Sequence, residues 1–271
     1  MAAIYDSAGS WWHPLGEVAE LWRYRHLLQL LVRRNIAARY KRSVLGLAWT
    51  LLNPLLTMLV LTVVFSSLFA PAVSYYPVYL LSGLLLWNLV AQSSLAAMND
   101  LLWNGSLLRR MYLPRTIFAV AAVGTGVLNL LLALLPLLLV ALAVGAPLRV
   151  VVFFMPVAVL LAAAFALGVA LLVSALAARF ADVVDTFQVL LTMWLYLTPV
   201  FYPAGIVPSQ VARWQGLNPM LHLVECFRAP LYLAQLPAAG TLLAAAAAAL
   251  GMLLLGWLVF TSQADQLTYR V

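Results

Sequence analysis

Apolar positions in this chain run far longer than any helical or strand period requires. Between Ser43 and Asn99 there is no charged residue, a stretch of 57 residues. One membrane crossing takes about 20 apolar residues, so this stretch holds more than one. It divides at Ala70-Pro71-Ala72-Val73-Ser74-Tyr75-Tyr76-Pro77, where turn residues and interface aromatics cluster. The pattern therefore predicts spans at 45–69 and 77–98. A polar segment from Asn99 to Arg115 follows, then apolar runs at 116–145 and 150–178, split by Gly145-Ala146-Pro147-Leu148-Arg149. A short charged break, Arg179 to Asp185, leads to a predicted span at 186–203. An Ala-rich last span is predicted at 238–260, its small residues permitting close helix contact.

Two stretches fit neither a span nor a soluble loop. Ahead of the first span, residues 17–40 read as an amphipathic helix. Val18, Leu21, Leu28, Leu31 and Val32 form an apolar stripe, with Arg23, Arg25, Arg33, Arg34 and Arg39 around it. That suits a helix lying in the membrane surface; docking on another protein would use the same pattern. Before the last span, residues 204–237 contain a good helix start at Asn218-Pro219, where Asn caps and Pro fills the first turn. A helix from there to about Leu233, preceded by a shorter one over 207–216, makes a re-entrant or interfacial hairpin. A plain extracytoplasmic loop is the alternative.

Composition removes the soluble classes. Hydrophobic residues are 66% of the 271 and charged residues 8%, against about 25% charged in a soluble domain. The net charge of +7 does not point to nucleic acid, because seven of the fifteen basic residues lie between Arg23 and Arg42, just before the first span. Such a cluster reads as a cytoplasmic flank in contact with anionic headgroups. With six spans and the N-terminus inside, twelve basic residues fall on inside segments and three on outside ones (Arg149, Arg213, Arg228). The positive-inside rule then places both termini in the cytoplasm. The fold class expected is an all-α polytopic membrane protein: six transmembrane helices, an N-terminal amphipathic interface helix, and an extracytoplasmic re-entrant helical hairpin before the last span. Residues 1–42 form the cytosolic or interfacial segment, 43–264 the transmembrane domain and 265–271 a cytosolic tail. No secretory signal peptide is expected.

Little reactive chemistry is visible. The chain's one lysine, Lys41, has no glycine-rich loop before it, so no phosphate cradle for ATP is expected here. His222 and Cys226 share helical spacing without a further ligand nearby, so no metal site is expected. The spans carry essentially no ionisable residue, which disfavours a proton-coupled carrier and favours a partner-driven pump or a passive pore. Phe187, Trp194 and Phe201, seven apart, share one helix face. Phe65 and Phe69 share another near the outer end of the first span, close to Tyr75. Aromatic faces can line a path for a sugar chain; ordinary packing explains the same spacing. Asn53-Pro54 predicts a kink in the first span.

Four stretches, in order, carry a resemblance. Ala38 to Gly46 followed by Ala48-Trp49-Thr50-Leu51-Leu52-Asn53-Pro54-Leu55 resembles the opening of the ABC-2 family of polysaccharide export permeases. Asn104 to Arg115, with Leu108-Arg109-Arg110-Met111-Tyr112-Leu113-Pro114-Arg115, is similar to that family's cytosolic loop between spans two and three. Ala178-Arg179-Phe180-Ala181-Asp182-Val183 is similar to its connection between spans four and five. Pro199-Val200-Phe201-Tyr202-Pro203, then Leu217-Asn218-Pro219-Met220 and Phe227-Arg228, resemble its outer hairpin. The resemblance implies a non-enzymatic transport subunit in the bacterial inner membrane. It implies a homodimer bound to two cytosolic ATPase subunits, which hold the ATP and Mg, and a polyprenyl-diphosphate-linked glycan of O-antigen or teichoic acid type as substrate. Arg109, Arg110, Tyr112, Pro114 and Arg115 would couple to the ATPase, and Phe65, Phe69, Tyr75, Phe187, Trp194 and Phe201 would line the channel. Tyr202, Pro203, Asn218, Pro219 and Arg228 would form the outer gate. The tail Thr261 to Gln266 departs from the pattern in lacking basic residues. A drug or small-lipid ABC-2 exporter and a membrane-embedded lipid-sugar transferase are the competing readings.

Overall fold

The computed structural model describes residues 20–40, 45–46, 48–69, 73–103 and 114–263. Those residues form helices and connecting turns, with no strand among them. Helix α1 is Arg25–Tyr40, α2 Ala48–Phe69 and α3 Tyr76–Trp103. Helix α4 is Thr116–Ala143, α5 Met155–Arg179 and α6 Val183–Leu197. Two short helices, α7 Ser209–Gln215 and α8 Pro219–Arg228, precede α9, Ala239–Ser262. Among the described residues, four stretches are long and apolar enough to cross a membrane: α3, α4, the Val150–Arg179 stretch that contains α5, and α9. Leu51–Ser66 within α2, and α6, are apolar but shorter.

Helix α3 is the hub. It packs against α2, α4, α5, α6 and α8, and its side chains from Val78 to Met98 are buried except at Asn88, Gln92, Leu95 and Ala96. Helices α4 and α5 flank it, and α9 lies on α5 in the most extensive contact of the fold. That contact depends on two glycines. A Cβ on Gly256 would meet the backbone of Gly168, and one on Gly168 would meet the backbone of Met252. Ala245 and Ala249 are fully enclosed on the same helix. Without a hydrophobic driving force between helices in lipid, such close backbone approach is what makes van der Waals packing favourable.

Local sequence explains the ends. Helix α4 stops at Gly145, which takes a left-handed φ of 73°, while Val144 N–H donates to Val140 and Ala146 N–H to Ala141. A 3₁₀ turn, Val150–Phe154, leads into α5, whose second residue is Pro156. Helix α6 ends at Leu197 rather than at residue 203, because Pro199 disfavours helical backbone at Thr198. Pro54 lies inside α2, which continues past it to Phe69. Helix α1 packs against α4; Asn35 donates to Asp100 at 3.1 Å, and Arg34 lies 4.0 Å from the same carboxylate. The amphipathic helix is thereby tied to the charged end of the hub.

Candidate functional site

The segment Thr198–Pro203 leaves α6 as non-helical backbone. Its two prolines lack N–H groups, and its carbonyls from Pro199 to Tyr202 lie outside any helical ladder. At membrane depth such groups cost several kcal/mol each unless protein satisfies them. Side chains from two other helices do so. Tyr76 Oη donates to the Phe201 carbonyl at 2.7 Å. Tyr79 Oη lies 3.2 Å from the Pro199 carbonyl and 2.9 Å from that of Tyr202. Arg228 donates to Pro199 at 3.2 Å and to Val200 at 3.3 Å. The four consecutive carbonyls from Pro199 to Tyr202 are thus all engaged.

Arg228 is 6% exposed, and its guanidinium sits 3.5 Å from the centroid of the Tyr79 ring. Desolvation makes such a cation–π contact stronger than a surface one. Gly83, one turn beyond Tyr79, leaves room for it: a Cβ there would meet Arg228 directly and Val200 Cγ1 at 3.2 Å. Tyr232 packs edge-on against Tyr79 at 5.5 Å. Glu225, one turn before Arg228, has its carboxyl pushed above the ordinary range by burial, with His222 and Arg228 pulling it down.

A second knot ties the α8 start to α6. Asn218 Oδ1 accepts from the Trp194 indole at 2.9 Å and from Met220 N–H at 3.0 Å. Its Nδ2 donates to Thr198 Oγ1 at 2.8 Å. The cap expected from sequence is therefore also a cross-link between elements. Tyr202 Oη donates to the Tyr196 carbonyl at 2.9 Å and accepts from Gln215 at 3.0 Å, which ties α7 to the same segment. Polar contacts thus hold α7 and α8 to α3 and α6 around a non-helical strap, Thr198–Pro203.

Among known proteins, the ABC-2 type transporter model matches residues 26–232. An O-antigen export system permease, RfbA of Myxococcus xanthus, is 33% identical over 92% of this chain and 96% of its own length. This chain belongs to the ABC-2 transporter family. The O-antigen export permease RfbA of Klebsiella pneumoniae is 24% identical over 74% of the chain and 78% of its own. The capsule polysaccharide export inner-membrane protein CtrC of Neisseria meningitidis serogroup B is 25% identical over 76% and 78%.

In this ABC-2 chain, the residues singled out from sequence scatter in role. Tyr202, Asn218 and Arg228 meet at the strap, with Pro203 at its end and Pro219 opening α8. Trp194 turns into the core, edge-on to Trp87 at 5.7 Å and to Phe165 at 6.2 Å. Phe187 and Phe201 are half-buried against the core, as is Phe65. Tyr75 is exposed, with a left-handed φ of 52° ahead of α3. Phe69 ends α2, and its side chain lies outside the described residues, as do Arg109, Arg110 and Tyr112. Pro114 is buried and Arg115 half-buried at the start of α4. His222 Nε2 lies 2.8 Å from the Gly216 carbonyl, and Cys226 is a buried free thiol. Sequence reasoning missed Tyr76, Tyr79, Tyr232, Thr198 and Gln215. Tyrosines near a span end read as an interface belt; the 76/79 spacing on one helix face was the available signal.

Proposed function

We propose that this chain is the transmembrane subunit of an ABC exporter that moves lipid-linked polysaccharide, of O-antigen or teichoic acid type, out of the cytoplasm across the inner membrane. The carrying observation is the match over nearly the whole chain to an O-antigen export permease. Two copies of the chain pair with two cytosolic ATPase subunits, which bind ATP and Mg and supply the energy. The chain crosses the membrane six times, α2 and α6 joining the four longer stretches, with both termini in the cytoplasm. Twelve of the fifteen basic residues then lie inside.

The 104–115 segment, with Arg109, Arg110, Tyr112, Pro114 and Arg115, docks the ATPase and passes its motion to α4. The α7–α8 hairpin closes the outer mouth at rest. The strap geometry supports this: a segment whose carbonyls are held by side chains, not by helix backbone, can exchange partners without unwinding a span. Phe187, Phe201, Phe65, Phe69 and Tyr75 remain candidates for the channel wall. Trp194, packed on Trp87 and Phe165, acts by positioning α6 against the hairpin.

Deleting the chain in its host tests the reading. Loss of the surface polysaccharide, with lipid-linked glycan accumulating inside and recovery on complementation, is the expected result. Unchanged surface glycan would refute it.

A further inference from the structure

The hub helix opens at one place. Of its residues from Val78 to Met98, those left unburied are Asn88, Gln92, Leu95 and Ala96, spaced to lie on one stripe. Two are carboxamides, near the middle of a helix about 42 Å long. Facing them are Asn53 of α2 and Asn129 of α4, and the four amides line a cavity of about 310 Å³ between the three helices. Trp49, Gly126 and five apolar residues, Pro54, Leu85, Leu89, Leu130 and Ala133, complete its wall. Asn129 Oδ1 is buried and accepts no hydrogen bond from any described residue, and neither does Ser93 Oγ, which a Cβ on Gly126 would strike.

A buried, unpaired carboxamide oxygen such as Asn129 Oδ1 is costly inside a span unless it faces a polar occupant. Lipid tails cannot satisfy it. The cavity lining is uncharged, which does not suit a phosphate or diphosphate. Each carboxamide offers both donors and an acceptor, and a hydroxyl needs both. The Trp49 side chain, 47% exposed, offers a flat apolar face for the C–H side of a pyranose ring. The volume is at the small end of the range for small-ligand sites, about 300–1,000 Å³, and fits one or two rings.

We propose that the α2–α3–α4 cavity is a sugar subsite, in which Asn53, Asn88, Gln92 and Asn129 hydrogen-bond the hydroxyls of a neutral sugar unit of the transported chain. The proposal rests on the export reading and deepens it. Neutral amides hold each ring by a few modest bonds, so a moving chain exchanges one ring for the next without stalling.

The test uses the full chain with its ATPase in glycan-producing cells, after deletion of the chain has shown loss of surface glycan. If deletion leaves surface glycan intact, the export reading fails and the subsite falls with it. A photo-crosslinking benzoylphenylalanine replaces Gln92 or, as comparison, Leu135 on the outward face of α4. Position 92 is expected to capture polysaccharide detected by antibody, and position 135 is not. Capture at position 92 of lipid alone, or of a second copy of the chain alone, would overturn the subsite. Separately, Asn88→Leu and Asn129→Leu should each lower surface polysaccharide about fivefold at equal membrane level, one lost hydrogen bond each, with Asn88→Gln largely restoring it. Full export in both leucine variants would overturn the proposal, and if either fails to reach the membrane the cross-linking decides.

Discussion

Tyr79 makes two separable contributions. Its hydroxyl reaches two strap carbonyls, and its ring carries the Arg228 guanidinium. Tyr79→Phe keeps the ring and loses the hydroxyl, so stability of the purified protein should fall by about 1–2 kcal/mol. Tyr79→Leu loses both and should cost about 1 kcal/mol more; equal thermal shifts for the two variants would refute the cation–π share. Arg228→Lys is the sharper case. A guanidinium presents a planar fork, and here two of its nitrogens serve two successive carbonyls, Pro199 and Val200. A lysine offers a single nitrogen on a different stem and cannot reproduce that two-point geometry. The expected result is a drop of about 2 kcal/mol in stability and a resting ion leak through the complex, measured in liposomes. A tight, equally stable Arg228→Lys protein would mean that the strap does not depend on the fork.

Elements were legible in the sequence to the extent that their signals were local. Charge-free runs marked the long helices, and Asn218-Pro219 marked the α8 start, because caps and hydropathy act within a few residues. The α6 end was misplaced because apolar composition continues through Val200 and Phe201 while the backbone does not stay helical past Leu197. The strap's dependence on Tyr76 and Tyr79 is tertiary, across more than 120 residues of sequence; the local 76/79 spacing shows that the two tyrosines share a face but not what they hold. The α5–α9 contact was legible only as an Ala-rich run; the glycines that set its closeness emerge once Gly168 and Gly256 are seen face to face. Gly256→Leu should therefore separate α5 from α9 and prevent recovery of folded protein from the membrane, whereas Gly251→Leu, with open space around its Cβ position, should be tolerated. Equal yields would refute the packing argument. At the hairpin exit Ala234 holds a left-handed φ of 51°, costing roughly 1 kcal/mol for a residue with a Cβ. Ala234→Gly should raise the melting temperature; a fall would show that the gain is outweighed by chain entropy.

Across the whole molecule, bare helix faces differ in what they carry, and that difference separates lipid from protein. The outward face of α4 presents Leu128, Leu131, Leu132, Leu135, Leu139 and Leu142. That of α9 presents Leu243, Leu250, Leu254, Leu255 and Leu258. Both suit acyl chains. The bare face of α6 mixes Val189, Leu190, Met193, Tyr196 and Leu197 with exposed Gln188 and Thr192, and α2 leaves Thr57 exposed beside Leu56, Leu59, Val60, Val63 and Val64. Polar side chains within a span face protein or water far more often than lipid. Helix α6, with 15 residues, is also only about 22 Å long, short of the roughly 30 Å hydrocarbon core, so it needs neighbours more than α4 or α9 does. The expected assembly therefore buries α2 and α6 between two copies of the chain. Introducing Met193→Cys or Val60→Cys, with the native thiol at Cys226 enclosed and out of reach, should give a dimer with a short bifunctional maleimide in intact membranes. Leu254→Cys and Leu135→Cys should stay monomeric. Dimers from the α4 and α9 positions, and none from α2 or α6, would place the interface on the opposite side and would leave Thr57, Gln188 and Thr192 in need of another occupant.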